Sequence, residues 1–463
     1  MTYTPLQPGQ QIQGRRDLLK SWCLGFGGLA LADLLNAEEK PGTAGPAHPL
    51  AAKKPHFKPR AKRVIFLFMQ GGPPQVDTFD YKPQLQKNHG KKTGKGSLMA
   101  SPFKFKPSGR SKLPISEAFP NLSKHADDLC LLNGMHTTNP AHPQATILAH
   151  TGSINFVRPS VGSWVLYGLG TENNDLPGFI TINPPNRLGG AQNYGSAFLP
   201  ACFQGTPIGG QGGNSLPNLY NRQLTSGQQR KQLDLVQKMN RELRERSGVN
   251  DELDGVIESF ELAFRMQGKV PEVMDIKNES QKTIDSYGIG RGKASDAFGK
   301  QCLMARRFAE NGVRYIEVHH GGWDLHNGLK AKLTKNAAST DAPIAGLLSD
   351  LKERGLLKDT LVVWGGEFGR TPAGQSAKGD GRRHNNRGYS MWMAGGGIRG
   401  GIRYGATDEF GDTAIKGKIH IHDLHATMLH QLGLHHEKLT YKYAGRDFRL
   451  TDVYGNVVKE ILS

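Results

Sequence analysis

Residues 358–401 read KDTLVVWGGEFGRTPAGQSAKGDGRRHNNRGYSMWMAGGGIRGG, and the fold is decided in this stretch. Leu361 to Trp364 is an unbroken apolar run rich in β-branched residues, closed by Lys358-Asp359 on one side and Gly365-Gly366 on the other. Such a run fits a strand buried on both faces, the setting of a parallel sheet covered by helices. Glu367 then falls just past the strand. In open α/β sheets the ligand crevice lies beyond the carboxyl ends of the strands, so a carboxylate there, followed by Gly369, Arg370 and a polar glycine-rich loop, is placed for chemistry. The loop carries His384, Asn385 and Asn386, and a second apolar run, Tyr389 to Ala394, ends in three glycines. The segment reads strand, loop, strand. The plainer alternative makes Glu367 a helix cap or loop carboxylate and His384 a solvated histidine.

Upstream the same pattern recurs. Arg314 to Val318 (RYIEV) reads as a strand that breaks into His319-His320-Gly321-Gly322-Trp323-Asp324-Leu325-His326-Asn327. Three histidines and an aspartate directly behind a strand are the ligand types zinc and manganese take. Otherwise Asp324 caps the next helix and the histidines bond backbone. A helix over Asp341 to Arg354 leads back to the central strand. Nearer the start, Val64 to Met69 (VIFLFM) is the strongest buried-strand signal, turned off the sheet by Gly71-Gly72-Pro73-Pro74. Asp77 and Asp80 follow as candidate ligands for a hard cation or as helix caps.

Asp128 to Leu132 predicts another strand, leading through Gly134-Met135-His136 to a helix with Pro143 in its first turn and Thr151-Gly152 at its end. A helix start at a strand's carboxyl end welcomes anions, which places His142 to face a phosphate or sulfate. A helix from Ser160 through Tyr167, its serines read as caps, and a strand over Pro177 to Ile182 come next. The glycine-rich residues 184–222 form a long loop of the kind that lines a site. Apolar residues at helical spacing (Leu233, Val236 and Leu243; Leu253, Val256, Ile257, Phe260 and Phe264) and a third helix over Ala294 to Asn311 mark 226–311 as a helical insertion. Downstream, His422, Asp423 and His425 open a packing helix through Leu432.

At 463 residues and 37% hydrophobic content the chain can bury a large core. Four cysteines without short spacing exclude a zinc ribbon and a disulfide scaffold. A net charge of +18 predicts attraction to polyanions. Gly14-Arg15-Arg16-Asp17-Leu18-Leu19-Lys20, with a weakly apolar segment behind it, resembles a twin-arginine export signal over residues 1–37. The segment is too short and glycine-rich for a stable membrane span. Residues 38–63, rich in Pro, Ala, Gly and Lys, read as a linker to a domain over 64–463. Export machinery is thus an expected partner, the location periplasmic or extracellular, and nucleic acid not an expected ligand.

With Gly-Gly-Pro after the first strand, a helix ending Thr-Gly, Trp-Asp-Leu-His after another strand, then GEFGRTP, a His-Asn loop and MAGGG, the chain resembles over nearly its whole length an exported bacterial family catalogued as a domain of unknown function. That family is similar to the sulfatase and alkaline phosphatase superfamily. The resemblance implies an α/β fold, a three-layer α/β/α sandwich with a mostly parallel sheet, and a metal-dependent hydrolase of sulfate or phosphate esters. It implies a divalent ion (zinc, manganese, calcium or magnesium) on Asp324, His326, Glu367 and His384, to which Asp77 adds a candidate ligand by its place behind the first strand, and in such a hydrolase His142 and Arg370 would stabilise charge on the ester. The substrate expected is an anionic ester, with a sulfated polysaccharide as one form. Departures from the superfamily pattern are Phe368 in place of His or Asn, Gln70-Gly71-Gly72 in place of an acid after the first strand, Arg383 where an acid is expected, and no Cys-x-Pro-Ser-Arg signature, which leaves the nucleophile unassigned. A binding protein for anionic polysaccharide and an exported surface component are the two alternatives.

Overall fold

The computed structural model describes residues 49–463 apart from 95, 186, 210–218, 222, 249 and 376–379, so the expected export signal lies outside the described residues. The central sheet contains, in chain order, β1 Arg63–Met69, β2 Leu129–His136, β3 Phe179–Ile182, β4 Thr206–Ile208, β5 Tyr315–His320, β6 Thr360–Gly365, β7 Tyr389–Ala394, β8 Ile402–Tyr404 and β9 Ile419–His420. Its order is β8-β2-β7-β6-β1-β5-β3-β4, with β9 also paired to β2. All seven residues of β1 and all six of β6 are buried. Full burial is why both strands read as continuous apolar runs rather than alternating ones. β1 pairs in parallel with β6 on one side and β5 on the other, which brings the carboxyl ends of three strands to one edge.

One strand runs against the rest. β7 is antiparallel to both β6 and β2, while every other pairing in the sheet is parallel. The connection between β6 and β7, residues 366–388, is folded as a hairpin rather than a crossover helix, so the chain re-enters the sheet antiparallel. The segment expected as a loop contains a hairpin, Gly369–Gly374 against Arg382–Asn385.

Helices lie on both faces, as the alternation along β5 shows. His319 stacks against His150 in helix α1 (His142–Thr151), with ring centroids 5.5 Å apart. Its neighbour His320 points the opposite way, to Phe298 of helix α2 (Asp296–Glu310) and to Ser339 of helix α3 (Leu329–Glu353), whose hydroxyl is 2.9 Å from His320 Nε2. Successive side chains on a strand alternate faces, so α1 and the α2/α3 pair cover opposite sides of the sheet. The three-layer α/β/α arrangement with a mostly parallel sheet is present.

Helix α3 begins at Leu329, well before the start expected at Asp341, and carries Pro343 inside it. Asp341 therefore lies inside the helix and not at its start. Its carboxylate accepts the backbone N–H groups of Asn121 and Leu122 at 2.9 and 2.8 Å, a contact made across the fold. In the 226–311 region, helices Ser226–Ser247 and Asp251–Met274 precede α2, the first capped by Thr225 and Gln228 in a reciprocal capping box. A short helix, Gln281–Ser286, was not expected. Among the described residues no helix is long and apolar enough to cross a membrane.

Candidate metal centre

The carboxyl ends of the parallel strands carry the chemistry. β1 runs into Gly71, β5 into Asp324 and His326, and β6 into Glu367 and the hairpin that holds Arg370 and His384; β2 leads to His142 at the start of α1. Gly71 is what lets two of these ends meet. Its φ is +116°, and a Cβ there would lie 2.5 Å from the Asp324 backbone nitrogen. Only glycine tolerates both the conformation and the approach. The Gly71 N–H donates to both carboxylate oxygens of Glu367, at 3.0 and 3.1 Å. The carboxylate missing behind the first strand is thus supplied from the end of the neighbouring one.

Three histidines converge on one carboxylate oxygen. The Nε2 atoms of His326, His142 and His384 lie 2.9, 3.3 and 3.4 Å from Asp324 Oδ1. Each ring is held from behind by its other nitrogen: His142 Nδ1 is 2.5 Å from Glu367 Oε1, His326 Nδ1 is 3.1 Å from Gln375 Oε1, and His384 Nδ1 is 2.7 Å from the Pro140 carbonyl. Those oxygens are acceptors, which places a proton on each Nδ1 and turns each Nε2 toward Asp324. His142 Nε2 is buried without a hydrogen-bond partner, and His326 Nε2 sits 2.9 Å from His384 Nε2. In the metal-free chain these contacts are bridged by protons, and a cation bound among them would replace the proton that His142 carries toward Asp324.

A divalent ion fits His142, Asp324 and His384, whose ligand atoms all lie within 4.8 Å of one another. Ligands about 2.0–2.1 Å from a tetrahedral ion lie about 3.3 Å from one another, the spacing found between Asp324 and both His142 and His384. The histidine Nδ1–H bonds supply the outer contacts that orient metal-bound imidazoles. The cluster opens to solvent on the Asp324 side: that side chain is 48% exposed, against 13% for His142.

The charges are strongly coupled. Burial works against a charged His142, but the Asp324 and Glu367 carboxylates outweigh it and raise its pKa to about 9. Burial also opposes the charge on Asp324. Hydrogen bonds from His142, His384 and Arg370 overcome it and hold that carboxyl far below the usual range.

The expected site residues divide. Asp324, His326, His384 and His142 come together, His142 as a potential ligand rather than only an anion contact. Glu367 is 1% exposed and reaches the cluster through His142. Asp77 is not brought there. Both its oxygens are taken by Arg382, Nε at 2.7 Å and Nη2 at 3.0 Å, in a pair that is fully buried. It is a structural carboxylate, and the expectation of a ligand is corrected. Asp80 likewise pairs with Lys82 at 3.1 Å and accepts from Thr407.

Arg370 is fully buried. Its guanidinium donates to the carbonyls of Gly72 (3.0 Å), Arg382 (3.2 Å), Trp323 (3.4 Å) and Gly71, and to Asp324 Oδ1 at 2.5 Å. With its donors so engaged it positions Asp324 rather than facing a ligand. The strand runs on through His319 and His320, which leave the cluster to His326 alone of the three. Gln375 and the Pro140 carbonyl, which orient two of the rings, carry no signal in the sequence. Gly71, visible only as a turn, proves to be the point of close approach.

A family model described as "Protein of unknown function (DUF1501)" matches residues 61–462. No protein with a curated description matches. Among solved structures, the chain is similar to a lipoteichoic acid synthase from Listeria monocytogenes (9% identity, 87% of this chain and 78% of that one, TM-score 0.37). It is also similar to a protein in the alkaline phosphatase superfamily from Vibrio parahaemolyticus (10%, 88% and 75%, 0.36) and to a sulfatase from Pseudoalteromonas sp. (14%, 81% and 68%, 0.34). At these scores none of their residues is carried across to this chain.

Proposed function

This chain belongs to the family described as Protein of unknown function (DUF1501), and we propose that it is a divalent-metal-dependent hydrolase of sulfate or phosphate esters acting outside the cytoplasm. The observation that supports the reading best is the convergence of the His142, His326 and His384 Nε2 atoms on Asp324, each ring anchored through Nδ1, at the solvent-open carboxyl edge of a parallel sheet.

In this reading His142, Asp324 and His384 would hold the ion, with His326 beside Asp324. Glu367 keeps the His142 proton on Nδ1 and leaves Nε2 to coordinate. Arg370 fixes the Asp324 carboxylate against the Gly71-Gly72 turn. When bound, the ion supplies Lewis acidity toward an ester oxygen. The exposed side of Asp324 is where an anionic ester enters, and the basic balance of the chain, +18, favours its approach. The Arg15-Arg16 motif accords with export, and a sulfated polysaccharide is the substrate that suits a basic exported protein.

The test is a screen of aryl sulfates, phosphate monoesters and phosphate diesters with added zinc, manganese, calcium or magnesium, run beside Asp324→Ala and His384→Ala. Turnover in the parent chain should fall by about two or more orders of magnitude in both variants. Turnover equal in parent and variants, or salt-sensitive glycan binding without any turnover, would overturn the hydrolase in favour of the binding protein.

A further inference from the structure

Away from the open cluster, between helix α1 and strand β5, lies a second set of metal-ligand side chains with no place in the proposed reaction. Glu317 and His319 are alternate residues of β5 and share the face that α1 covers; His150 is in the last turn of α1. Their side chains are 0–1% exposed. Phe68 packs against both imidazoles, with centroids 4.5 Å from His150 and 5.6 Å from His319.

The hydrogen bonds leave this cluster incomplete. His150 Nδ1 is 2.7 Å from the Thr146 carbonyl, an acceptor, so its proton is on Nδ1 and Nε2 carries the lone pair. That Nε2 has no hydrogen-bond partner and faces Glu317 Oε1, also without one, at 3.9 Å. Two acceptors facing each other in an apolar interior repel, and 3.9 Å is too long for a shared proton. His319 Nε2 lies 3.4 Å from Glu317 Oε2 and 3.1 Å from the Thr181 hydroxyl. Among the described residues, the groups within ion-pair reach of Glu317 are these two neutral-capable histidines, with no lysine or arginine. Burial raises the Glu317 pKa to about 7 although the Thr181 and Tyr315 hydroxyls act on it, so its charge is held only weakly, and a cation facing Oε1 and His150 Nε2 would favour the ionised form.

We propose that His150, Glu317 and His319 enclose one divalent transition-metal ion of the zinc class, bound between the helix layer and the sheet. One ligand atom from each residue lies within 4.8 Å of the others, which brings all three to one point after a small inward shift of the side chains. Zinc–nitrogen and zinc–oxygen bonds of about 2.0–2.2 Å span the gap between His150 Nε2 and Glu317 Oε1 with little movement. The ion satisfies both orphaned atoms and supplies the missing positive charge. The mixed imidazole and carboxylate donors favour zinc over calcium or magnesium, which take oxygen. With no open side toward solvent, the site is structural. The proposal goes beyond the hydrolase reading and does not depend on it.

Two measurements test it. The full chain, purified from zinc-replete cells as Asp324→Ala to empty the open cluster, should retain about one zinc per chain by elemental mass spectrometry. Adding Glu317→Gln should lower this to below about a tenth of an equivalent. Because that double variant depends on folding, the second measurement needs no substitution: an anomalous difference map at the zinc edge from crystals of the parent protein should show a peak between His150 Nε2 and Glu317 Oε1. Metal-free Asp324→Ala protein, or an anomalous map without that peak, overturns the enclosed site whatever the protein's activity.

Discussion

The open and enclosed clusters use the same kinds of side chain and share the same two elements, yet differ in what surrounds them. Helix α1 contributes His142 to one and His150 to the other; strand β5 and the loop after it contribute Asp324 and His326 to one and Glu317 and His319 to the other. The open set has a 48% exposed carboxylate and three rings anchored through Nδ1. The enclosed set has a carboxylate 1% exposed, walled by phenylalanine. Ligand identity alone does not separate a reactive centre from a structural one. Solvent access does, because a substrate must reach the ion and product must leave.

The contrast breaks first if Asp77, the carboxylate behind β1, turns out to serve the open cluster. Asp77→Asn should instead destabilise the protein by about 3–5 kcal/mol in chemical denaturation, since it strands the buried Arg382 guanidinium, with zinc content unchanged in the folded fraction. Loss of metal without loss of stability would restore Asp77 as a ligand. A smaller effect is expected at Glu367, which bonds His142 of the open cluster and the Gly71 N–H. Glu367→Gln should weaken metal binding there by about 10–100-fold in a chelator competition and leave the enclosed ion in place. Equal loss from both clusters would mean that Glu367 holds the fold rather than the ring.

The smallest and sharpest test is pH. His142 has its pKa raised to about 9, above its ordinary value, so in metal-free protein its charged form stabilises the fold fully below about pH 6.5, and that contribution is lost as pH rises through about 9. Metal must displace this proton. Affinity at the open cluster should therefore rise by about tenfold from pH 7 to pH 8 in the same competition and level off above about 9. A flat profile would show that His142 is not a ligand.

What the sequence could show was whatever is local. VIFLFM and TLVVW announce buried strands because full burial removes polar alternation, and Trp-Asp-Leu-His and Gly-Glu-Phe-Gly stand out because polar ligand types follow such runs at once. What it hid were long-range partners. Asp77 looks like a ligand until Arg382 is seen beside it, 305 positions away. Arg370 looks free until four carbonyls and Asp324 take its donors. The hairpin at Gly369–Asn385 was hidden by its polarity, since GRTPAG and RRHN carry no apolar alternation. His150 and Glu317 are single polar residues in apolar runs, and nothing local marks them as neighbours.

Helix α1 also joins the far end of the chain to the chemistry. Its last turn is gripped by helix α4 (Ile421–Gln431), where His425 Nε2 meets the Ala149 carbonyl at 2.8 Å and His422 Nε2 meets that of Gly152 at 2.7 Å. The first turn, about 12 Å away along a stiff rod, presents His142 to the open cluster. Displacement of one end is displacement of the other. The carboxyl-terminal helix, which supplies no ligand, therefore sets the reach of a ligand it never touches, and a substitution at His422 or His425 would be felt as a change in how firmly Asp324 and its histidines grip their ion.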